Sequence, residues 1–134
     1  MLMIYLERVI KMLNNEVINK VYSKFLVTDS VSIRELIELG LKSKDIKKLI
    51  MLKYITLDMV GNYVINDLDA LYQYGLELYN EGREDEAYKV YKKCYDLGSK
   101  NDDLSFDLYF SALDNKEYNL ASNYYLNLKA DKCR

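Results

Sequence analysis

The chain has 134 residues, 50% of them apolar and 30% charged, with a formal net charge of −2. That composition suits one ordinary domain, or two very small ones, and excludes a disordered chain. There is no histidine, which removes the Ser/His and Cys/His nucleophile pairs and every zinc site that needs imidazole. Proline is absent and glycine occurs five times, so helices are the natural default. Nineteen basic against twenty-one acidic residues is too even a balance to mark the whole chain as a nucleic-acid binder. The two cysteines, Cys94 and Cys133, form no CxxC pair or metal quartet, and a reducing, cytoplasmic setting is the expectation. The apolar run from Met1 to Leu6 meets Glu7 and Arg8 at once. It is too short for a membrane span or a signal segment.

Residues 3–25 read as helix, with Leu6, Ile10, Leu13, Val17 and Val21 recurring every three or four residues. The pattern leaves open whether Asn14-Asn15 divides it. Thr28-Asp29-Ser30 is a turn cluster, and Ser32 with Glu35 three residues on forms a capping box. The helix so started carries Ile33, Leu36, Ile37 and Leu39 and ends at Gly40. Ser43 is the expected cap of a further helix, 44–52, with Ile46, Leu49 and Ile50 inside. Tyr54 to Leu57 and Tyr63 to Ile65 are rich in strand formers, and residues 58–62, with Gly61, suit a hairpin turn. Asn66-Asp67 is the best boundary, giving an N-terminal half 1–67 and a C-terminal half 68–134. The halves differ in charge. The first has ten Lys/Arg and eight Asp/Glu, the second nine and thirteen.

Helix, short helix, turn with glycine, helix and hairpin is the order of a helix-turn-helix with a wing. Residues 32–65 resemble the winged-helix family in that order. The resemblance implies that helix 44–52 is a recognition helix, with Ser43, Lys44, Lys47 and Lys48 as candidate DNA contacts. These lysines lie on the face away from Ile46 and Leu49 and could contact phosphates. The wing carries Asp58 and no Lys or Arg, and no Arg, Asn or Gln on the helix reads base edges.

The second half lies on itself when shifted to bring Ala87 onto Ala121, Tyr91 onto Tyr125 and Cys94 onto Leu128. That offset is the tetratricopeptide period. Residues 68–128 resemble that family: Leu71 opens a first helix, Gly75 is the small residue that admits the second, Gly82 is in the turn, and Ala87 and Tyr91 follow. The repeats are 68–101 and 102–134. In the second, Tyr109 stands where Gly75 does and Lys116 where Gly82 does, and both lack the family's closing proline. Wider local packing is expected there. The expected fold class is therefore mainly α: a winged-helix-like half with a small hairpin, then a two-repeat tetratricopeptide array. Gly75, Ala87, Tyr91, Ala121 and Tyr125 are its expected packing residues.

The residues ask for no chemistry. Glu84, Asp85, Glu86, Asp102 and Asp103 stand at expected helix starts, where they complement the helix dipole. Asp102, Asp103 and Asp107 lack calcium-loop spacing, and the glycines form no phosphate-binding motif. No catalytic residue, cofactor or metal is expected. The resemblance implies a concave face lined by first helices, making Tyr72, Tyr79, Phe106 and Phe110 candidate protein contacts. Leu120, Tyr124 and Leu128, on the last helix, would be left for a partner or a second copy. The reading is a regulatory, non-enzymatic protein-interaction module, expected as a homodimer through the terminal hairpin or the N-terminal stripe. The alternative is a small DNA-binding transcriptional regulator whose repeats dimerise or sense.

Overall fold

The structure, a computed structural model, describes residues 15–132, with side chains described for residues 16–128. The expected start of the first helix, with Leu6, Ile10 and Leu13, lies outside the described residues, as does Cys133. Among the described residues the protein is mainly helical, with seven helices and a small two-stranded antiparallel hairpin. The chain divides between Asp67 and Leu68 into two compact units.

The first unit contains α1 (Asn15–Phe25), α2 (Ile33–Glu38), α3 (Ser43–Met51), β1 (Ile55–Leu57) and β2 (Tyr63–Ile65). Its core is one cluster to which nearly every segment gives one or two side chains: Val21 and Phe25, Val31, Leu36 and Leu41, Ile46 and Leu49, and Ile55. The capping box of α2 is formed in both directions. Glu35 N–H donates to Ser32 Oγ at 3.1 Å, and Ser32 N–H donates to Glu35 Oε1 at 3.1 Å. Ser43 is not a cap. Lys42 takes that position, and its backbone N–H donates to Asp45 Oδ2 at 3.0 Å. The carboxylate three residues into the helix closes the turn from the other side.

The strands pair Ile55 with Ile65, Thr56 with Val64 and Leu57 with Tyr63. Asp58 holds the turn by accepting from both Val60 N–H and Asn62 N–H at 2.9 Å. Val31, between α1 and α2, adds a single antiparallel bridge to Tyr63, exchanging backbone hydrogen bonds of 2.9 and 2.7 Å. Three stretches of chain are thus tied at the hairpin.

The second unit contains α4 (Leu68–Asn80), α5 (Glu84–Asp96), α6 (Asp102–Asp114) and α7 (Tyr118–Lys132). Consecutive helices pack on one another. The interval from the start of α4 at Leu68 to that of α6 at Asp102 equals the interval from Glu84 of α5 to Tyr118 of α7. Burial repeats with the same spacing: Tyr74 and Leu108, Leu78 and Ala112, Ala87 and Ala121, Val90 and Tyr124, and Cys94 and Leu128 are all buried. A pattern of this kind follows when two helical hairpins of like geometry stack.

Two positions show how the hairpins differ. A Cβ on Gly75 would stand 2.8 Å from Tyr91 Cε1 and 3.0 Å from Val90 Cγ1. Only glycine lets α5 come so close to α4. Its counterpart Tyr109 meets Tyr125 ring against ring, with centroids 5.7 Å apart, so there two aromatic side chains make the contact that glycine makes in the first hairpin. Gly82 closes the first hairpin at φ +83°, and Lys116 adopts the same left-handed region at φ 60° in the second. A side chain with a Cβ is strained in that region.

Candidate protein-binding groove

α4 and α6 lie side by side and are tied by the Tyr72 hydroxyl, which donates to Asp107 Oδ2. Between them runs a groove of about 390 Å³, lined among others by Leu76, Tyr79, Tyr91, Asp107, Phe110 and Asp114. Tyr79 is 49% exposed and Phe110 is 59% exposed. Both present ring area to an incoming chain. Tyr91 is buried in the floor beside Tyr72, centroids 5.8 Å apart.

The two helices carry charge of one sign, and the charged residues that line the groove itself, Asp107 and Asp114, are both on α6. α4 carries Asp69 and Glu77, and α6 carries Asp102, Asp103, Asp107 and Asp114, while neither helix has a Lys or Arg. None of these six carboxylates has an ion-pair partner among the described residues. Burial pushes the Asp107 carboxyl above its usual range. The Tyr72 hydrogen bond opposes this, and the nearby Asp103 charge adds to it. Burial and then the Asp107 hydrogen bond hold the Tyr72 phenol well above its ordinary value. The Tyr91 phenol is pushed to about 12, chiefly by burial. The two phenols are therefore neutral at neutral pH, with the Asp107 carboxyl held beside them.

α5 and α7 are joined on the opposite side of their hairpins. Tyr88 donates to Glu117 at 3.2 Å, Lys92 pairs with Glu117 at 3.7 Å, and Tyr95 packs edge-on against Tyr124. Asn127 donates to the Tyr95 hydroxyl oxygen.

The expected contact residues separate into two groups. Tyr79 and Phe110 line the groove, and Phe106 is exposed on the same helix as Phe110. Tyr72, Tyr124 and Leu128 are not surface residues. They are 4%, 6% and 8% exposed, because each falls on the inner stripe of its helix. Leu120 is partly open at 37%. Tyr125, expected in the packing like Tyr91, is 50% exposed against 2% for Tyr91. α6 covers Tyr91, whereas among the described residues no further helix stands over Tyr125. With Tyr109 and Leu126, Tyr125 borders a second, shallower hollow of about 250 Å³.

In the first unit, Ser43, Lys44 and Lys47 are exposed on α3 and Lys48 is half-buried. Ile50, expected inside, is 41% exposed, and Ile33 and Ile37 on α2 are 46% and 58% exposed. α2 has under two turns, so only Leu36 reaches the core. At the hairpin tip Met59 and Val60 are fully or largely exposed beside Asp58.

Among the described residues no three His, Cys, Asp or Glu side chains come together to hold a metal, and no helix is long and apolar enough to cross a membrane. Cys94 is buried, and burial raises its thiol to about 12. It remains protonated at neutral pH and is a poor nucleophile.

Sequence reasoning overlooked Asp114, and it weighed Asp107 only as a metal ligand. The signal was present: two 13-residue helices, one repeat apart, with six carboxylates and no cation. No protein-family model, curated protein or solved structure matches the chain.

Proposed function

We propose that this is a non-enzymatic protein-interaction module in which two tetratricopeptide-like hairpins present the α4–α6 groove to a segment of a partner protein. One observation carries the reading. The groove has exposed aromatic rings at Tyr79 and Phe110 over a floor that includes the buried Tyr91, packed between helices. Aromatic side chains on a fixed scaffold supply large contact area at small entropic cost, as interaction hot spots do. The regular recurrence of helix starts and the Gly75–Tyr91 approach support the family likeness.

The test is selection from a display library of random peptides of about twelve residues, long enough to span such a groove. Enrichment on the full chain, lost on the Tyr79→Ala/Phe110→Ala variant, supports the reading. Equal enrichment on both, or none on either, contradicts it.

A second reading is favoured by α3. Lys44 and Lys47 are exposed opposite the buried Ile46 and Leu49, and the Val31–Tyr63 bridge gives the hairpin a third segment, as a winged helix has. This reading makes α3 a DNA-contacting helix. Duplex binding that weakens steeply with salt, and is abolished by Lys44, Lys47 and Lys48→Glu, supports it. The apolar, cation-free tip at Met59 and Val60 favours the first reading.

A further inference from the structure

We infer that the segment taken by the α4–α6 groove is cationic: two Lys or Arg residues flanking a large apolar side chain. The inference rests on the protein-binding reading of this groove and adds the chemistry of its occupant.

Three observations converge. First, Asp107, Phe110 and Asp114 follow one another at spacings of three and four along α6, so they share a face. Seven residues of helix rise about 10 Å. The groove therefore offers carboxylate, ring, carboxylate along its α6 wall, with Asp107 and Asp114 both among its lining residues. In an extended peptide about 3.3 Å long per residue, two cations three or four positions apart match that separation, with the apolar residue between them over Phe110.

Second, among the described residues no cation balances the charge. The six carboxylates of α4 and α6 meet no cation on either helix, and none forms an ion pair among the described residues. This contrasts with α5, where Lys89, Lys92 and Lys93 accompany the acids. A cleft lined by one sign of charge concentrates ligands of the other and repels like-charged chains. An acidic segment would be disfavoured even if its apolar residues fitted.

Third, the rings suit a cation as well as a hydrocarbon. Tyr79 and Phe110 expose ring area at the groove edge, where a guanidinium or ammonium is attracted to an open ring face while its stem packs against the ring. Asp107 is poised for the same partner. It is partly desolvated, with Tyr72 donating to one carboxylate oxygen, so a seated cation offsets a penalty the unbound groove already carries.

The experiment is the peptide selection on the full chain, read for composition, followed by anisotropy titrations of the recovered peptides. The expected result is enrichment of Lys/Arg pairs three or four apart around Leu, Phe or Met. Binding should weaken about threefold to tenfold for each of Asp107→Asn and Asp114→Asn, and should fall as salt rises. Recovered peptides that are neutral or acidic, yet still lost on Tyr79→Ala/Phe110→Ala, would overturn the cationic inference and leave the groove reading standing. Cationic peptides that bind the Asp→Asn variants unchanged would also overturn it. Peptides that bind without regard to Tyr79 and Phe110, or no enrichment at all, would overturn both. Helical content by circular dichroism confirms that each variant is folded, and light scattering during titration exposes a second copy of the chain as a competing occupant.

Discussion

The first unit gathers five short elements and the single residue Val31 around one core of eight buried side chains. The second builds one pattern twice, so that buried residues recur at a fixed interval. The difference has consequences for the surface. In the first unit nearly every short element gives an apolar residue to a single point, and the large apolar side chains left outside are aliphatic, among them Ile33, Ile37, Ile50, Met59 and Val60. In the second, helices of thirteen residues or more leave a whole outer face free of packing. On α4 and α6 that free face is aromatic and acidic. A regular scaffold with spare faces can carry a chemically distinct groove, whereas a point core uses its few turns on being folded.

The largest test of this contrast is removal of a central ring from the point core. Phe25→Ala should destabilise the first unit by about 3–5 kcal/mol, because it empties a site touched by several elements. Urea denaturation followed by the amide signals of Val31 and Tyr63 reads the loss. A cost under about 1 kcal/mol would mean that Phe25 is not central.

Next comes overpacking in the repeated unit. Ala87→Leu and Ala121→Leu should each cost about 1–3 kcal/mol, since both sites are buried where helices approach. Similar values at the two positions would support equivalent hairpins. A change within about 0.5 kcal/mol at either would place that residue at a surface.

The turns differ by less. Lys116 is held at φ 60° where its counterpart is glycine. Lys116→Gly should therefore stabilise the second hairpin by about 0.5–1 kcal/mol, and Gly82→Lys should destabilise the first by a similar amount. Thermal denaturation measures both.

The smallest and most discriminating contrast is in pH dependence. Glu35 in the first unit is held below its ordinary value, mainly by the Ser32 backbone N–H in the capping box. Its contribution is present above the unfolded pKa and is lost as pH falls through the folded one. Asp107 in the second unit is shifted upward, mainly by burial. A carboxyl raised on folding binds its proton more tightly when folded, so its penalty is absent in acid and appears as pH rises through the interval up to the folded value. Glu35→Gln should thus remove stability at neutral pH and not in acid. Asp107→Asn, which still accepts from Tyr72, should add stability at neutral pH and not in acid. Denaturation midpoints of each variant against the unmodified chain, taken across the acid range, give the two signs. Equal signs would contradict the stated causes.

Much of this architecture was legible because it is local or periodic. The Ser32–Glu35 box, the Asp58-to-Asn62 turn and the helix intervals of the second half all follow from spacing. What escaped was set by length and neighbours. Val31 is a single bridging residue and has no period to reveal it. Ile37 and Ile50 fit an apolar stripe, yet their helices are too short to bury both edges of it. Tyr72 is expected on a concave face of first helices and Tyr124 on a last helix left for a partner, but their helices turn them inward and a carboxylate or another ring meets them. The acidic wall on α6 is plain in sequence once its helix is known to border α4; chain order alone does not place Asp107 beside Tyr72.

If recognition belongs to the acidic, aromatic groove of the repeated unit, amide chemical-shift mapping of the full chain during titration with a selected cationic peptide shows it most directly. The account predicts shifts that saturate and centre on residues 76–80 of α4 and 107–114 of α6, with α3 and the hairpin tip unchanged. A shift map centred instead on Lys44, Lys47 and Met59, or on Leu120 and Leu126, would contradict it.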